Sequence, residues 1–476
     1  MNAIDPLGLF GDEPQPAPGP APVRAAILQP PAEVKYARAR SPQLKIAERV
    51  LRDIGKNNLI ACNAGIHLFD SKTGIWNLLN PNQFAAIVQR DLKMFLMEGF
   101  TNACVNNTVA LLRREVEREL EFSFDANAGN DIGMRNGVLE YDGGRWKLRP
   151  HRREDFRTIF IPVVYYANAK APKFERFLND VFDGDDDKAE KVQCIKELFG
   201  YSLMRHADRY EVFVLLIGGG SNGKSVVLRL LAQMIGEKNV AAVQPSLFGN
   251  QFNRAFLFRK LVNIVSELQV GAAIDDAALK AITSGEYMNV SKKHEPPFDM
   301  KPFSTCWFGT NHMPHTKDFT DALFRRARLI SFNRKYVTGV DADPMLKTDD
   351  YWKPELPGIV NVCLAAYGDV IRRGGVTDPP SSIEGKRQWR IEADQVQQWT
   401  EDRVTADPYG KQYLGELYQN FRQWAGGAGI EHIVTQRTFG HRLGDLGYRT
   451  ENARDGGGYY IRGIAVSAQV EAEKWE

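Results

Sequence analysis

From Val212 to Ile217 the chain is unbroken apolar sequence, from Gly218 to Ser225 it reads Gly218-Gly219-Gly220-Ser221-Asn222-Gly223-Lys224-Ser225, and from Val226 to Ile235 apolar residues recur at helical spacing. This order predicts a buried strand, a tight loop and a helix, the context that a P-loop requires. Glycines let the backbone curl until successive N–H groups converge, at a helix N-terminus whose dipole favours negative charge. Such a loop cradles phosphate. Lys224 then falls where it can bridge the β- and γ-phosphates of ATP, and the Ser225 hydroxyl where it can ligand Mg2+. A strand feeding such a loop belongs to an α/β sheet with crossover helices, and the alternation of apolar runs and helical segments from Glu211 to about Tyr336 has that rhythm.

A phosphate loop does not by itself choose among kinase, GTPase and motor. Leu261 to Val265 reads as a second buried strand ending in Ser266-Glu267. A carboxylate at the tip of the neighbouring strand orients the attacking water and helps to hold Mg2+. With serine preceding it, the metal is left to Ser225, Glu267 and water. Thr305 to Thr310 is a third apolar strand and ends in Asn311, a residue suited to hydrogen-bond the γ-phosphate or the water. Arg325, Arg326 and Arg328 precede the apolar run Leu329 to Phe332. An arginine reaching a neighbouring subunit's ATP stabilises charge on the transferring phosphoryl group. The sequence leaves open which of Arg325 and Arg326 does so.

The net charge of +2 on 476 residues makes any nucleic-acid surface a local matter. One candidate is the tip Lys292-Lys293-His294, which follows Leu279 to Glu286 and Asn289-Val290-Ser291. Another lies in the last part of the chain. There two helical runs, Tyr413 to Phe421 and Gln436 to Leu446, precede two strand-like runs joined through Asp455-Gly456-Gly457-Gly458. The second helix carries Arg437, His441 and Arg442. Helices followed by a glycine-turned hairpin look like a winged helix, with these three residues facing duplex DNA.

The five cysteines and eight histidines show no metal-ligand spacing, and no run approaches the ~20 apolar residues of a membrane span. A cytoplasmic protein is expected. Residues 1–38 are rich in proline and are expected to be a disordered tail. Within it Pro6-Leu7-Gly8-Leu9-Phe10 is similar to the short peptides by which bacterial proteins dock on the replicative sliding clamp. The acidic run Asp183 to Asp187 lacks the glycine of a calcium loop and reads as solvated.

The order P-loop, acidic strand end, basic hairpin, sensor asparagine and paired arginines, all between Gly218 and Arg328, resembles the superfamily 3 helicase core of viruses and mobile elements, part of the AAA+ class. Asn136 to Leu139, Pro150-His151 and Phe174 to Phe177 resemble the linker domain of the phage and plasmid primase-helicase family, related to poxvirus-type primase-helicases. Glu355 to Asn361 resembles the helical segment after that family's core. No primase carboxylate pair is seen. The resemblance implies an AAA+ P-loop core of α/β class with an α+β linker domain before it and a winged-helix domain after it. The expected boundaries are 39–190 for the linker domain, 191–345 for the core, 346–395 for a helical segment and 396–476 for the winged helix. It implies ATP hydrolysis with Mg2+, a homo-hexamer, and single-stranded DNA threaded past Lys292, Lys293 and His294. Origin duplex DNA, a primase and the sliding clamp are further implied partners. Two other readings stay open: a DNA- or RNA-stimulated ATPase that remodels or defends without unwinding, and a DNA-binding regulator switched by nucleotide.

Overall fold

A computed structural model describes residues 42–62, 65–95, 101–118, 122, 124–125, 129–269, 273–293, 296–316, 318, 320–428, 430, 433–452 and 458–467. The expected tail, with its Pro6 to Phe10 segment, lies outside these residues.

The first unit comprises α1 (Pro42–Ile54), β1 (Leu59–Cys62), β2 (Gly65–Asp70), β3 (Ile75–Leu79), α2 (Pro81–Phe95) and α3 (Asn102–Glu115). Ile46, Ala47 and Val50 share one face of α1, and Phe84, Val88 and Leu92 recur every fourth residue on α2. These faces meet Val105 and Leu112 of α3 and the antiparallel sheet β1-β2-β3 to close a small core of their own. A second antiparallel sheet follows, β4 (Asp131–Met134), β5 (Gly137–Asp142) and β6 (Arg145–Arg149), its last hairpin turned at Gly143-Gly144 as the sequence predicts.

Next come α4 (Pro172–Val181) and α5 (Lys188–Tyr201), and then the central sheet with its crossovers. The elements are β7 (Phe213–Ile217), α6 (Lys224–Ile235), β8 (Val240–Ala241), α7 (Gln251–Arg254), β9 (Val262–Val265), α8 (Asp276–Thr283), β10 (Met288–Val290), β11 (Phe298–Met300), β12 (Thr305–Thr310), α9 (Asp321–Phe324) and β13 (Ala327–Ser331). The five-stranded sheet has the order β13-β7-β12-β9-β8, and every pairing in it is parallel. Strands buried on both faces read as continuous apolar runs, which is why β7 and β12 stand out in the sequence. Their side chains alternate between two cores. Val214, Leu216 and Trp307 point to the layer of α4, α5 and α6, while Phe213, Leu215 and Phe308 point to the layer of α8. β10 and β11 pair antiparallel as a separate hairpin.

The rest of the chain holds α10 (Asp349–Trp352), α11 (Leu356–Arg373) and α12 (Pro380–Ala393). After them come α13 (Gln395–Arg403), β14 (Val404–Tyr413), α14 (Leu414–Gly427), α15 (Gln436–Asp445), β15 (Thr450–Asn452) and β16 (Tyr459–Val466). From α13 on, Trp399, Leu417, Phe421, Phe439 and Ile461 build a further core of their own beneath the antiparallel sheet β14-β16-β15.

The expected boundary at 190/191 is corrected: it falls inside α5. Phe174, Phe177 and Leu178 of α4 share one continuous core with β7 and α6, and so do Ile132, Met134 and Leu139 of the second small sheet. Ahead of α4, the first unit packs around a core distinct from that of the central sheet. The carboxylate of Glu355, just ahead of α11, caps α4 by accepting the amides of Lys173 (3.0 Å) and Phe174 (3.1 Å). The acidic run is corrected too. Asp185 and Asp187 are nearly buried and hold the ammonium of Lys191, which is 1% exposed and also meets Ser331 Oγ at 2.9 Å. A buried ammonium needs such partners, and two of the five residues supply them.

Two buried histidines sit at the seams. His67 of β2 faces Arg259 of the central unit, Nε2 3.1 Å from Nη1, and His206 Nε2 lies 2.8 Å from Tyr367 Oη. Burial, reinforced by Arg259 for His67 and Arg209 for His206, lowers both to about 4 from the usual 6.5. Because each is harder to protonate folded than unfolded, the stability they contribute is intact above pH 6.5 and is lost as pH falls from 6.5 towards 4. Between those limits His67→Gln is expected to lose less stability than the wild type, by on the order of 1–3 kcal/mol. Thermal unfolding of both proteins at pH 7.5 and 4.5 measures this, and equal losses would refute the assignment.

Candidate nucleotide site and basic surfaces

Because β7, β9 and β12 run parallel, their C-terminal ends line one edge of the sheet, and the predicted residues meet there. The loop turns back after Ile217, and α6 starts at Lys224. Lys224 Nζ is buried at 7% exposure and donates to the Gly218 carbonyl, to Asn222 Oδ1 (3.1 Å) and to Asn311 Oδ1 (3.3 Å). Burial lowers its pKa, and the nearby Glu267 carboxylate pulls it back up. Lys224, Asn311 and Glu267, far apart in sequence, therefore form one charged cluster. Ser225 and Glu267 are exposed at its rim.

The loop holds its shape through its backbone. Gly223 lies at φ +94°, and a side chain there would run into Val181 of α4 at 2.8 Å. At Gly218 a side chain would strike Asn222 and the Phe332 carbonyl. The Asn222 amide is tied to that same carbonyl at 3.1 Å. Among the described residues no side chain caps α6 at Gly223, whose carbonyl takes the amides of Val226 (3.0 Å) and Val227 (3.1 Å), so the first turn offers its remaining amides to the loop. The arrangement can do what the sequence predicts: present backbone donors and one ammonium to phosphate oxygens. Gly219, Gly220 and Ser221 complete the loop, with space beside the two glycines.

The order of strands departs from expectation in one respect. The strand of Glu267 is not the neighbour of the P-loop strand, because β12 lies between them and pairs with both. Asn311 thus leaves the sheet between Lys224 and Glu267. The gap is closed where Leu268 N donates to Gly309 O at 3.0 Å. Residues that no motif marked also frame the loop. Tyr336 N donates to Ser221 O (2.7 Å), and Asp180 accepts from both Tyr336 Oη and Arg334 Nη1 at 2.6 Å. The only sequence cue to them is that Arg334 and Tyr336 follow directly on β13.

The two arginines lie at the other edge. Phe213 N, at the start of β7, bonds Arg326 O at 3.0 Å, so the pair sits roughly 20 Å from its own P-loop, at about 3.3 Å per residue. They differ sharply. Arg326 is buried, its guanidinium bonded to Glu211 Oε2 (2.6 Å), Ser284 Oγ (2.8 Å) and Ala322 O (2.7 Å). Arg325 is 60% exposed, and its nearest carboxylate is Glu211 at 3.9 Å.

Of the hairpin residues, Lys293 is exposed, while Lys292 is half-buried with its ammonium 5.7 Å from the rings of both Phe258 and Phe298. His294 lies outside the described residues. On α15, Arg437 and His441 are exposed one turn apart. Arg442 is corrected: it is buried and bonded to Asp394 (2.6 Å), itself 1% exposed in its side chain, and so is spent on holding α15 against α13. The hairpin tip, 453–457, lies outside the described residues. Among the described residues no cluster of histidine, cysteine and carboxylate could hold a metal ion unaided, and no helix is long and apolar enough to cross a membrane.

Parts of the chain are similar to known proteins. Residues 45–183 match the family described as D5 N terminal like, and residues 216–326 match a family of unknown function, DUF5906. Each match covers less than half of the chain. The chain is 22% identical over 328 residues to a protein of Acanthamoeba polyphaga mimivirus that bears a "Putative helicase" name. It is 26% identical over 222 residues to "Putative helicase 121R" of Invertebrate iridescent virus 3. These stretches are 62% and 43% of this chain but 32% and 23% of the relatives, so the chain spans about a third or less of the curated relatives it matches. In fold it is similar to the apo, A-form structure of the NrS-1 C-terminal region, with a TM-score of 0.50 and 14% identity. That likeness covers 89% of this chain and 98% of the other.

The contrast between the arginines of α15 is testable. Arg442→Ala leaves Asp394 buried without its partner and should destabilise the C-terminal unit by about 3–5 kcal/mol. Arg437→Ala, on the exposed face, should change stability by less than about 0.5 kcal/mol. Chemical denaturation of the two variants decides between them, and equal effects would contradict the burial described.

Proposed function

We propose that the chain is an ATP-driven DNA helicase motor of the superfamily 3 type, working as a ring of copies, most simply a hexamer. The observation that carries this is the division of labour between the two edges of the sheet. One edge gathers Lys224, Asn311 and Glu267 around the P-loop. The other exposes Arg325, roughly 20 Å from its own loop at the rise of a β-strand, where only a neighbouring copy's nucleotide is within reach.

In this reading the amides from Gly218 to Ser225 and the Lys224 ammonium bind the phosphates of ATP. Mg2+ takes few protein ligands when phosphates and water supply the rest, and Ser225 and Glu267, exposed at the rim, suit that demand. Held there, the metal would neutralise charge on the transferring group. Glu267 orients the water, Asn311 senses the γ-phosphate, and Arg325 is the finger. Arg326, buried and bonded to Glu211 and Ser284 inside its own subunit, is not. Exposed Lys293, with Lys292 and His294, would meet the phosphates of single-stranded DNA in the pore. The C-terminal unit runs helix, strand, two helices and hairpin, which suits a winged helix offering Arg437 and His441 to duplex DNA at an origin. The resemblances to viral proteins bearing helicase names support the reading at the level of family likeness.

The test is hydrolysis by mixed copies. Lys224→Ala and Arg325→Ala should each hydrolyse ATP at least ~100-fold more slowly than the wild type, a finger alone contributing 10³–10⁵ elsewhere. Mixed together they should regain activity, because one supplies the loop and the other the finger. No recovery on mixing would mean that Arg325 does not act across a subunit boundary. In parallel, single-stranded DNA should stimulate the wild type, and Lys293→Ala should lose that stimulation while basal hydrolysis persists. Equal wild-type rates with and without DNA would end the helicase reading.

A further inference from the structure

Between α5 and the P-loop strand the chain makes a short, polar passage, Ala207 to Glu211, that no motif singles out. Two of its attachments bear on the arginines and the hairpin. At its far end Glu211, held at φ +51°, grips the buried Arg326 beside the exposed Arg325. Arg326 also bonds Ser284 Oγ (2.8 Å), the residue that closes α8. At its near end Asp208 accepts from Lys301 Nζ at 2.9 Å, one residue beyond β11. Between the two lies Gly285, at φ +61°, where a side chain would meet Asp208 at 3.0 Å and Lys301 at 3.3 Å. Both feet of the β10–β11 hairpin, the entry at Ser284-Gly285 and the exit at Lys301, are thus fastened to one five-residue passage, and so is the arginine pair.

We propose that this passage is the joint that couples Arg325 to the basic hairpin, with Glu211 and Asp208 as its positioning residues. The inference rests on the helicase reading for what the hairpin touches, but the joint itself is a property of the fold. Charge-assisted hydrogen bonds at short range hold direction as well as distance, and the close packing at Gly285 leaves the feet little room to slide. When Arg325 is drawn towards a neighbour's phosphates, its strand end pulls Arg326, and Arg326 carries Glu211 and Ser284 with it. The hairpin follows as a rigid attachment rather than through a chain of loose contacts. Neither carboxylate reaches the P-loop edge, so neither takes part in the hydrolysis itself.

Glu211→Gln and Asp208→Asn keep the shape of each side chain and remove its charge. Full-length wild type and variants are compared in two measurements. In the first, ATP hydrolysis is followed with and without single-stranded DNA. The variants should keep basal hydrolysis within about threefold of the wild type, while the stimulation ratio falls at least about tenfold. Stimulation retained in both variants overturns the proposal. In the second, amide hydrogen exchange is followed without DNA or nucleotide. Exchange across 285–301 should quicken at least about fivefold in both variants, far from either substitution along the chain. Exchange changed only at 206–213 and 324–328 overturns the joint. If the wild type ignores DNA, the helicase reading has failed, and the exchange measurement alone decides the joint. Asp208→Asn, whose ion pair is largely exposed, stands in should Glu211→Gln not fold.

Discussion

Parallel pairing of β7 with β12 on one side and β13 on the other sets the direction of everything that happens in the central unit. Strands running the same way send all their C-terminal ends to one edge and all their starts to the other. Lys224, Asn311 and Glu267 gather at one of these edges without any local sequence signal joining them. By the same rule the segment entering β13 is carried to the far edge, with its arginines. An antiparallel neighbour would have mixed the two sets. The alternation of side chains between two cores then locks the register, since a slip of one residue would turn Phe213 and Leu215 into the layer that now holds Val214 and Leu216.

What the sequence made legible was the part in which backbone geometry dictates residue type. A loop that must wrap phosphate needs glycine where φ is positive, as at Gly223, and the chain can be read there almost residue by residue. Strands buried on both faces are legible for a similar reason. Strand order is not, because nothing in Leu261 to Val265 tells which strand will lie beside it, and β12 came between. Burial of single charged side chains was equally hidden. Arg325 and Arg326 are adjacent and chemically identical, yet one is buried against Glu211 and Ser284 and the other faces outward. Arg442 and the acidic run at 183–187 were misread for the same reason: a charge in a helix or loop looks solvated until its partner arrives from elsewhere in the chain. The frame around the P-loop, Asp180, Arg334 and Tyr336, comes from two distant segments and left no spacing to recognise.

Several of these charges lie where layers meet. Glu197, wholly buried in α5, accepts from Arg373 at the end of α11 and from Thr377 beyond it, and Arg205 bonds Asp125 and Asp131 ahead of the central sheet. Buried ion pairs add little net stability over apolar packing, but a partner left alone is costly. They therefore fix which surfaces meet more than how tightly.

The shared core of the central unit bears on how the protein can be taken apart. Phe174, Phe177 and Leu178 lie in the same apolar interior as the strand leading to the P-loop, and Val181 rests against Gly223 itself. A fragment cut at residue 191, where motif reading would place the scissors, would lose a wall of that interior and expose its lining to water. A piece that could be severed on that side is instead the small unit around Ile46, Phe84 and Leu112, whose interior is its own. Limited proteolysis and shuffling of modules between proteins should both respect that seam, and a fragment carrying the loop from Gly218 to Ser225 would have to keep α4 and α5 to remain a folded body.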